Sequence, residues 1–155
     1  MKSRVLVVGF PIRRDEVLLG IRNQKPWICN LSGFGGNIND EDGNDPRKTQ
    51  VRELQEESGL ITCPQLIEKR AEFIVNCEGK ESKILHAYLI PYFMGKEVTT
   101  KEMSSPMWFP KKNIPTDLMI PGDEFWVCRM LAGEFMSGTI FRSADAEIFL
   151  GIELN

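Results

Sequence analysis

The stretch Arg52–Leu60 reads Arg-Glu-Leu-Gln-Glu-Glu-Ser-Gly-Leu, and within a helix it sets three carboxylates at positions i, i+3 and i+4. That spacing gathers Glu53, Glu56 and Glu57 on one helix face, with their Cβ atoms about 5–6 Å apart. Like charges this close oppose helix formation unless a cation lies between them. Hard oxygen ligands on a rigid element suit Mg²⁺, with Mn²⁺ as a substitute. The stretch therefore predicts a metal site, and Arg52, four residues before Glu56, can orient that carboxylate.

The same run of glutamates is also typical of a solvated acidic surface, and taken alone it favours that interpretation. The neighbouring sequence shifts the balance. Residues 22–44 form a long irregular segment that contains the glycine-rich loop Gly33-Phe34-Gly35-Gly36. Glycines allow a backbone to come close to a ligand or a metal, and long loops in small domains are commonly functional.

The helix that carries these glutamates has clear limits in the sequence. Asp45 is a favourable N-cap, Pro46 suits the first helical position, and Gly59 suits the left-handed residue after the last turn. A second, largely buried helix is predicted between Pro121 and Met136. Predicted strands cover residues 5–10, 17–19, 67–75 and 84–93, and a terminal hairpin covers 139–142 and 146–153. This pattern predicts an α+β fold in which helices pack against a mixed sheet.

Composition and charge narrow the class of protein further. The 155 residues suffice for one domain, 1–155, and 42% apolar with 26% charged residues is a globular composition. The net charge of −3 disfavours a protein that binds long nucleic acid electrostatically. No apolar run approaches the roughly 20 residues of a membrane span. Four scattered cysteines are typical of small apolar fillers in a reducing compartment, so we expect a cytoplasmic protein whose oligomeric state stays open.

With these residues in view, the sequence resembles the Nudix hydrolases. Their signature, G-x5-E-x7-R-E-U-x-E-E-x-G-U with U aliphatic, matches Arg52–Leu60 at every fixed position of its second half. The first half departs from the signature. Counting back from Arg52, the early Glu falls on Asn44 and the Gly on Ile38, whereas alignment on Gly36 requires two extra residues within 39–43. The resemblance covers nearly the whole chain and implies the Nudix fold, an α/β/α sandwich around a mixed β-sheet.

Carried over residue by residue, the resemblance implies a catalytic set on and beside the helix. Arg52 belongs to it, and Glu102, beside Met103, matches an acidic residue that reaches the metals from a loop; its alternative is an exposed loop glutamate. The implied metal ligands are Glu53, Glu56, Glu57, Glu102 and a backbone carbonyl of Gly35 or Gly36.

Within the family, the chain is similar to the MutT-like enzymes that hydrolyse oxidised purine nucleoside triphosphates, but its base pocket departs from theirs. Those enzymes read the base with an Asn before the glycine loop and a pair of Asp residues under a stacking Trp. Here Ser32 precedes the loop, Gly122-Asp123 replaces the pair and Ile120 replaces the Trp. Trp27 either stacks on a base or belongs to the core at a strand edge. The implied substrate-binding residues are Trp27, Asn30, Ser32, Gly33, Phe34, Ile120 and Asp123.

The activity implied is Mg²⁺-dependent hydrolysis of a purine nucleoside triphosphate such as 8-oxo-dGTP to a nucleoside monophosphate and pyrophosphate. Arg22, Lys25 or Lys111 can neutralise the phosphates, whereas His86, Trp108 and Trp126 are assigned structural roles. Two alternatives stay open. One is a Nudix enzyme acting on another nucleoside diphosphate derivative or an RNA 5′ end, and the other is a non-catalytic nucleotide-sensing module.

Overall fold

Within residues 4–155, which the computed structural model describes, the chain forms nine β-strands, two α-helices and four short 3₁₀-helices. The strands are β1 (Val5–Arg13), β2 (Glu16–Arg22), β3 (Leu31–Ser32), β4 (Phe34–Asn37), β5 (Glu68–Cys77), β6 (Lys83–Ile90), β7 (Met103–Pro110), β8 (Met136–Arg142) and β9 (Phe149–Leu154). The α-helices are α1 (Pro46–Ser58) and α2 (Val127–Leu131), and the 3₁₀-helices span Asp40–Asp42, Pro64–Leu66, Thr116–Leu118 and Asp123–Phe125.

The strands form one curled mixed sheet in the order β3-β2-β1-β6-β5-β8-β9, while β4 pairs with β1 and β7 pairs with β2. The pairs β1–β6 and β5–β8 are parallel, and the other pairs are antiparallel. The first half of β1 pairs with β4, and its last residues pair with β2. The predicted α+β class and mixed sheet are confirmed.

The two α-helices lie against opposite faces of the sheet. Strand β1 shows this, because successive side chains of a strand point to opposite faces. On β1, Val7 belongs to the core cluster that contains Leu54 of α1. Phe10, three residues along, belongs to the other cluster, together with Trp126 and Met130 at α2. The sheet is therefore enclosed between a helical element on each side, as the predicted sandwich requires.

Helix α1 has the limits that the sequence predicts. The Asp45 carboxylate accepts a hydrogen bond from the Arg47 N–H (3.0 Å), and Pro46 occupies the first turn. Gly59 ends the helix with φ of 80°, and its N–H donates to the Gln55 carbonyl (2.9 Å). Local capping chemistry thus determines both ends of the helix.

The prediction of a second helix extending to Met136 is wrong. A 3₁₀-turn at Asp123–Phe125 leads into α2, which has only five residues. Trp126 separates the two pieces with φ of −137°, outside the helical range, and Gly133 adopts φ of 105° beyond α2. Met136 already begins β8. The apolar spacing in this region reflects burial against the sheet rather than a continuous helix.

The segment 22–44 is more regular than the sequence predicts, because it holds β3, β4 and the 3₁₀-turn Asp40–Asp42. The expected glycine loop is largely strand β4, in which Gly35 pairs with Val8 of β1. A Cβ on Gly35 would lie 1.8 Å from the Val7 carbonyl oxygen, so only glycine permits this approach. Strand β7 was not predicted, and the predicted strand limits at 67–75, 84–93, 139–142 and 146–153 shift to those of β5, β6, β8 and β9.

The cysteines, Trp126 and His86 are the subject of three further structural predictions. All four cysteines are free, but Cys29 is exposed and so is not an apolar filler. Trp126 is buried and packs against Phe10 and Phe73, in agreement with its structural assignment. His86 lies within β6, as predicted, and burial lowers its pKa. Between residues 4 and 155, neither helix is both long and apolar enough to span a bilayer.

Candidate active site

The acidic face of α1 points partly into the protein. Glu57 is 2% exposed and Glu53 is 8% exposed, whereas the Glu56 side chain is half exposed. Charged side chains are almost never this buried without a partner. The solvated-surface interpretation therefore applies at most to Glu56, and the two inward glutamates require another explanation.

A third carboxylate joins these two from outside the helix. Glu102, immediately before β7, brings its side chain to Glu53 and Glu57, and one oxygen from each residue lies within 4.8 Å of the others. Glu102 is half-buried, so it is not simply an exposed loop glutamate. Burial raises the pKa of Glu57 to about 8, and burial also raises the pKa of Glu53. Three close carboxylates form a donor set that fits a divalent cation, which would also favour the charged forms of Glu53 and Glu57.

Glycines in β4 allow the helix to bring its carboxylates so close. The Gly35 N–H donates to Oε1 of Glu57 (2.9 Å). A Cβ on Gly36 would lie 2.6 Å from Oε1 of Glu53, which any larger residue would displace. The carbonyl of either glycine as a further metal ligand stays a prediction.

Arg52 is held from two sides beside this cluster. Its Nε and Nη2 donate to the two oxygens of Asp42, at 2.9 Å each. Its Nη1 donates to Glu53 Oε1 (3.0 Å) and to Glu56 Oε2 (3.2 Å). The carboxylate of Asp42, 4% exposed, also accepts from the Thr49 hydroxyl (2.8 Å). Hydrogen bonds from Arg52 hold the pKa of Asp42 below its usual value, so Asp42 stays ionised and anchors the guanidinium.

Asp42 corrects the expected alignment of the signature. Asn44, which the count back from Arg52 placed at the early Glu, is exposed and adopts φ of 58°. Asp42 lies six residues after Gly36, the spacing of the signature's Gly and Glu, so the extra residues fall between Asp42 and Arg52. Gly43, with φ of 62°, and Asn44 form the left-handed link that accommodates them. The Gly36–Asp42 spacing was the signal that could have identified this residue.

The acidic cluster lies in the wall of a cavity of about 730 Å³. Arg22 and Lys25 also line it, and Arg22 Nη2 lies 3.7 Å from Glu57 Oε2. Lys111, the third predicted phosphate-neutralising residue, lies instead after β7, where its N–H donates to the Asp15 carbonyl (2.7 Å). Arg22 thus stands beside the carboxylates, and Lys25 lines the same cavity.

The predicted base-binding residues divide into two groups. Trp27, Ser32, Ile120 and Asp123 line the cavity. The others have structural surroundings: the Asn30 amide donates to the Met119 carbonyl (3.0 Å), Phe34 is fully buried in the core, and a Cβ on Gly33 would lie 2.6 Å from the Gly9 carbonyl oxygen. These three are not among the residues that line the cavity, and their binding of substrate stays a prediction.

Asp123 lies in the cavity wall and is buried. Burial raises its pKa to about 7, and the positive charge of Arg142 acts in the opposite direction. Gly122, not Asp123, precedes the 3₁₀-turn as its cap, and the turn has no side-chain capping hydrogen bond. A capping role therefore does not explain this buried carboxyl.

Arg142, at the end of β8, is a cavity residue that sequence reasoning missed. Its guanidinium lies over the ring of Trp27, 4.6 Å from the ring centroid. No sequence motif indicates this residue, since the two side chains come from distant parts of the chain and only the sheet brings them together.

The fold and the acidic helix define the class of protein: this is the Nudix fold, and the predicted resemblance to the Nudix hydrolases is confirmed. The chain is 27% identical over 154 residues to the oxidized purine nucleoside triphosphate hydrolase of Mus musculus. The aligned region covers 98% of this chain and 94% of that relative. The similarity to this relative extends along nearly the whole length of the chain. No family model matches the chain.

Solved structures agree on the fold. A mutator MutT protein from Bacillus halodurans has a TM-score of 0.78 with 23% identity, and the similarity covers 97% of both chains. The Nudix domain of NrtR from Shewanella oneidensis, in complex with ADP ribose, has a TM-score of 0.66 with 17% identity, covering 85% of this chain and 88% of that domain.

Proposed function

We propose that the protein is a Mg²⁺-dependent hydrolase of purine nucleoside triphosphates, including oxidised forms such as 8-oxo-dGTP, and that it releases a nucleoside monophosphate and pyrophosphate. The observation that carries this proposal is the single cavity shared by the cluster of Glu53, Glu57 and Glu102 with Trp27 and Asp123. The name of the mouse relative supports the same substrate class. Such an activity would remove damaged nucleotides from the nucleotide pool.

The residues present fit a divalent metal ion. Glu53, Glu57 and Glu102 would hold Mg²⁺, with Mn²⁺ as a substitute, and Glu56 stands at the exposed side of the same helix face. When bound, the metal supplies charge neutralisation at the phosphates and activation of a water molecule. The buried cluster supports this assignment because a nearby cation favours the charged form of Glu53 and Glu57, which burial disfavours.

The chain's own residues would bind and orient the substrate around this centre. Arg52, anchored by Asp42, fixes the orientation of the Glu53 carboxylate. Arg22 and Lys25 would meet the negative charge of the triphosphate. Trp27 and Asp123 would contact the base by stacking and hydrogen bonding.

A panel of ordinary and oxidised nucleotides tests the proposal. Each is incubated with the protein and Mg²⁺, and released phosphate is distinguished from pyrophosphate. We expect pyrophosphate from purine triphosphates, dependence on the metal, and loss of the activity in Glu57→Gln. Release of phosphate alone, or turnover in the presence of EDTA, would contradict the proposal.

One neighbour supports a second candidate substrate class. The NrtR domain was solved with ADP ribose, a nucleoside diphosphate derivative. ADP ribose therefore belongs in the same panel, and faster hydrolysis of it than of any triphosphate would favour this class.

We also propose a cytoplasmic location, because the four cysteines are free and thiols stay reduced there.

A further inference from the structure

Arg142 is a buried cation whose hydrogen bonding is incomplete. The residue is 6% exposed, and within residues 4–155 its Nη1 atom is buried with no hydrogen-bond partner. Its guanidinium lies against the face of Trp27. A buried charge that lacks hydrogen bonds is costly, so a ligand with acceptor atoms is the natural complement of this group.

Asp123 lines the same cavity and offers the opposite hydrogen-bonding character. The charges of the two residues influence one another, yet among the residues described they form no salt bridge with each other. A fork of N–H donors and an acceptor carboxylate therefore stand apart on the wall of one cavity. Neither group pairs with the other, and although the Trp126 side chain interacts with the Asp123 carboxyl, this carboxyl keeps further acceptor positions for a ligand.

When Asp123 is ionised, this pair is complementary to a ring edge on which a carbonyl oxygen adjoins an N–H. The guanidinium of Arg142 only donates, so it carries the discrimination whichever form Asp123 takes. A 6-oxopurine has that edge, with O6 as an acceptor beside N1–H as a donor. A 6-aminopurine has the reverse, an amino donor beside a bare ring nitrogen. Because Trp27 lies against a face of the guanidinium, the N–H edge is the part of Arg142 that can donate to the edge of a base placed beside it, as arginine does in reading guanine.

We propose that Arg142, together with Asp123, selects nucleotides with a 6-oxopurine base against those with a 6-aminopurine base. This inference rests on the proposed function and names the substrate class of that site. Guanine, hypoxanthine and 8-oxoguanine share the 6-oxo edge, so Arg142 distinguishes the oxo from the amino group. It does not by itself distinguish the oxidised base from the normal one.

Inosine triphosphate and ATP form the matched substrate pair, because their bases differ only at this edge. With Mg²⁺, we expect wild-type kcat/KM to favour inosine triphosphate roughly tenfold to a hundredfold. In Arg142→Gln the ratio of kcat/KM for the two substrates falls toward one. Arg142→Lys keeps the charge but loses the planar fork, so its ratio falls as well.

Arg129→Gln is the matched control, since it makes the same change at an exposed arginine that pairs with Glu134 (2.9 Å). It leaves the ratio unchanged. An equal ratio in wild type and Arg142→Gln, both folded by circular dichroism, overturns the role of Arg142 while leaving the hydrolase intact. Should Arg142→Gln fail to fold, the ratio measured in Arg142→Lys decides in the same way.

Calorimetric binding of inosine and adenosine monophosphates, without metal, separates this inference from the proposed function. Wild type that hydrolyses no nucleotide contradicts the proposed function. Even then, tighter binding of inosine monophosphate that is lost in Arg142→Gln supports the base-reading role. Equal binding of the two monophosphates by wild type overturns it.

Discussion

At the scale of single residues, Glu57 lies on α1, accepts a hydrogen bond from the Gly35 N–H of β4 and belongs to the carboxylate cluster. We predict that Glu57→Gln lowers turnover to below about a tenth of wild type, because the amide keeps the shape but loses the charge that holds a metal. Its carbonyl oxygen can still accept the Gly35 N–H. Glu56→Gln is expected to act in the same direction. Steady-state rates with Mg²⁺ measure the effect.

The stability of Glu57→Gln separates a metal ligand from a structural residue. Burial raises the pKa of Glu57 to about 8, so without metal the wild-type fold loses stability as pH rises through that value. Glutamine does not ionise, so the difference in unfolding free energy should shift in favour of the variant between pH 5 and pH 9. Exposed Glu134→Gln is the control. Substantial turnover by Glu57→Gln would count against its assignment as a metal ligand.

Asp123→Asn tests the buried carboxyl in the base pocket. We predict that it changes the ratio of kcat/KM for oxidised and normal guanine nucleotides more than it changes the dependence on Mg²⁺. A site that hydrogen-bonds one particular group rejects analogues whose groups leave its buried atoms unpaired. Parallel assays with 8-oxo-dGTP and dGTP measure the ratio, and an unchanged ratio removes Asp123 as a base-reading residue.

The same variant makes a separate prediction about pH. Because burial raises the pKa of Asp123 to about 7 from 3.8, its folded state holds the proton more tightly than its unfolded state. Its contribution to stability is therefore complete below pH 4 and is lost as pH rises through about 7. We expect the difference in unfolding free energy between wild type and Asp123→Asn to shift in favour of the variant over this range. Urea unfolding at pH 5 and pH 8 measures it.

At the scale of elements, the 3₁₀-turn Asp40–Asp42 and helix α1 are joined by the pair Asp42–Arg52. We predict that Asp42→Ala destabilises the fold by about 2 kcal/mol, because buried hydrogen bonds to a charged group are lost. Activity should fall as well, since Arg52 then loses its anchor and orients Glu53 poorly. Urea unfolding and steady-state rates measure both effects, and wild-type stability in Asp42→Ala would contradict the structural role.

Asn44→Glu is the companion test in the same turn. The signature alone suggests that a glutamate here restores a missing group. We predict little change in rate, because Asn44 is exposed and Asp42 already pairs with Arg52. A small loss of stability is expected, since Asn tolerates φ of 58° better than Glu does. A large gain in activity would show that the site is incomplete without a glutamate at this position.

The elements that the sequence predicted well are those whose determinants are local. The ends of α1 follow from Asp45, Pro46 and Gly59, which act within one turn of the helix. The prediction of a helix ending at Met136 was wrong. The apolar residues of this segment are buried against the sheet, and their spacing in the sequence resembles that of one helix face. The glycines of β4 predict a loop from the sequence, but in the fold they permit the close approach of this strand to β1 and α1, which is a tertiary requirement.

At the scale of the whole molecule, the site combines parts that differ in how far the sequence could predict them. The glutamates of α1 follow from helical spacing, whereas Glu102 was placed beside them only by the family resemblance. Arg142 reaches the cavity through the pairing of β8 with β5, which no local pattern specifies. The carboxylates of α1 were therefore predictable from the sequence, but the position of Arg142 in the cavity depended on the sheet.

Metal binding should also stabilise the whole molecule, because the folded state assembles a carboxylate cluster that the unfolded chain lacks. The oxygens of Glu53, Glu57 and Glu102 lie within 4.8 Å of one another only in the fold. A ligand that binds only the folded state adds about 2.7 kcal/mol at a concentration one hundred times its Kd. We predict that Tm rises with Mg²⁺ concentration in wild type and returns to its starting value when EDTA is added.

Glu57→Gln should abolish most of that rise in Tm, whereas Glu134→Gln, at an exposed position on the surface, should retain it. Screening by salt acts on both variants alike. Potassium chloride at matched ionic strength is therefore the control that separates this general effect from specific binding of Mg²⁺. An equal rise in wild type and Glu57→Gln would mean that Mg²⁺ acts on the surface rather than at the cluster. A rise confined to proteins with an intact cluster links the fold to the metal without any assay of turnover.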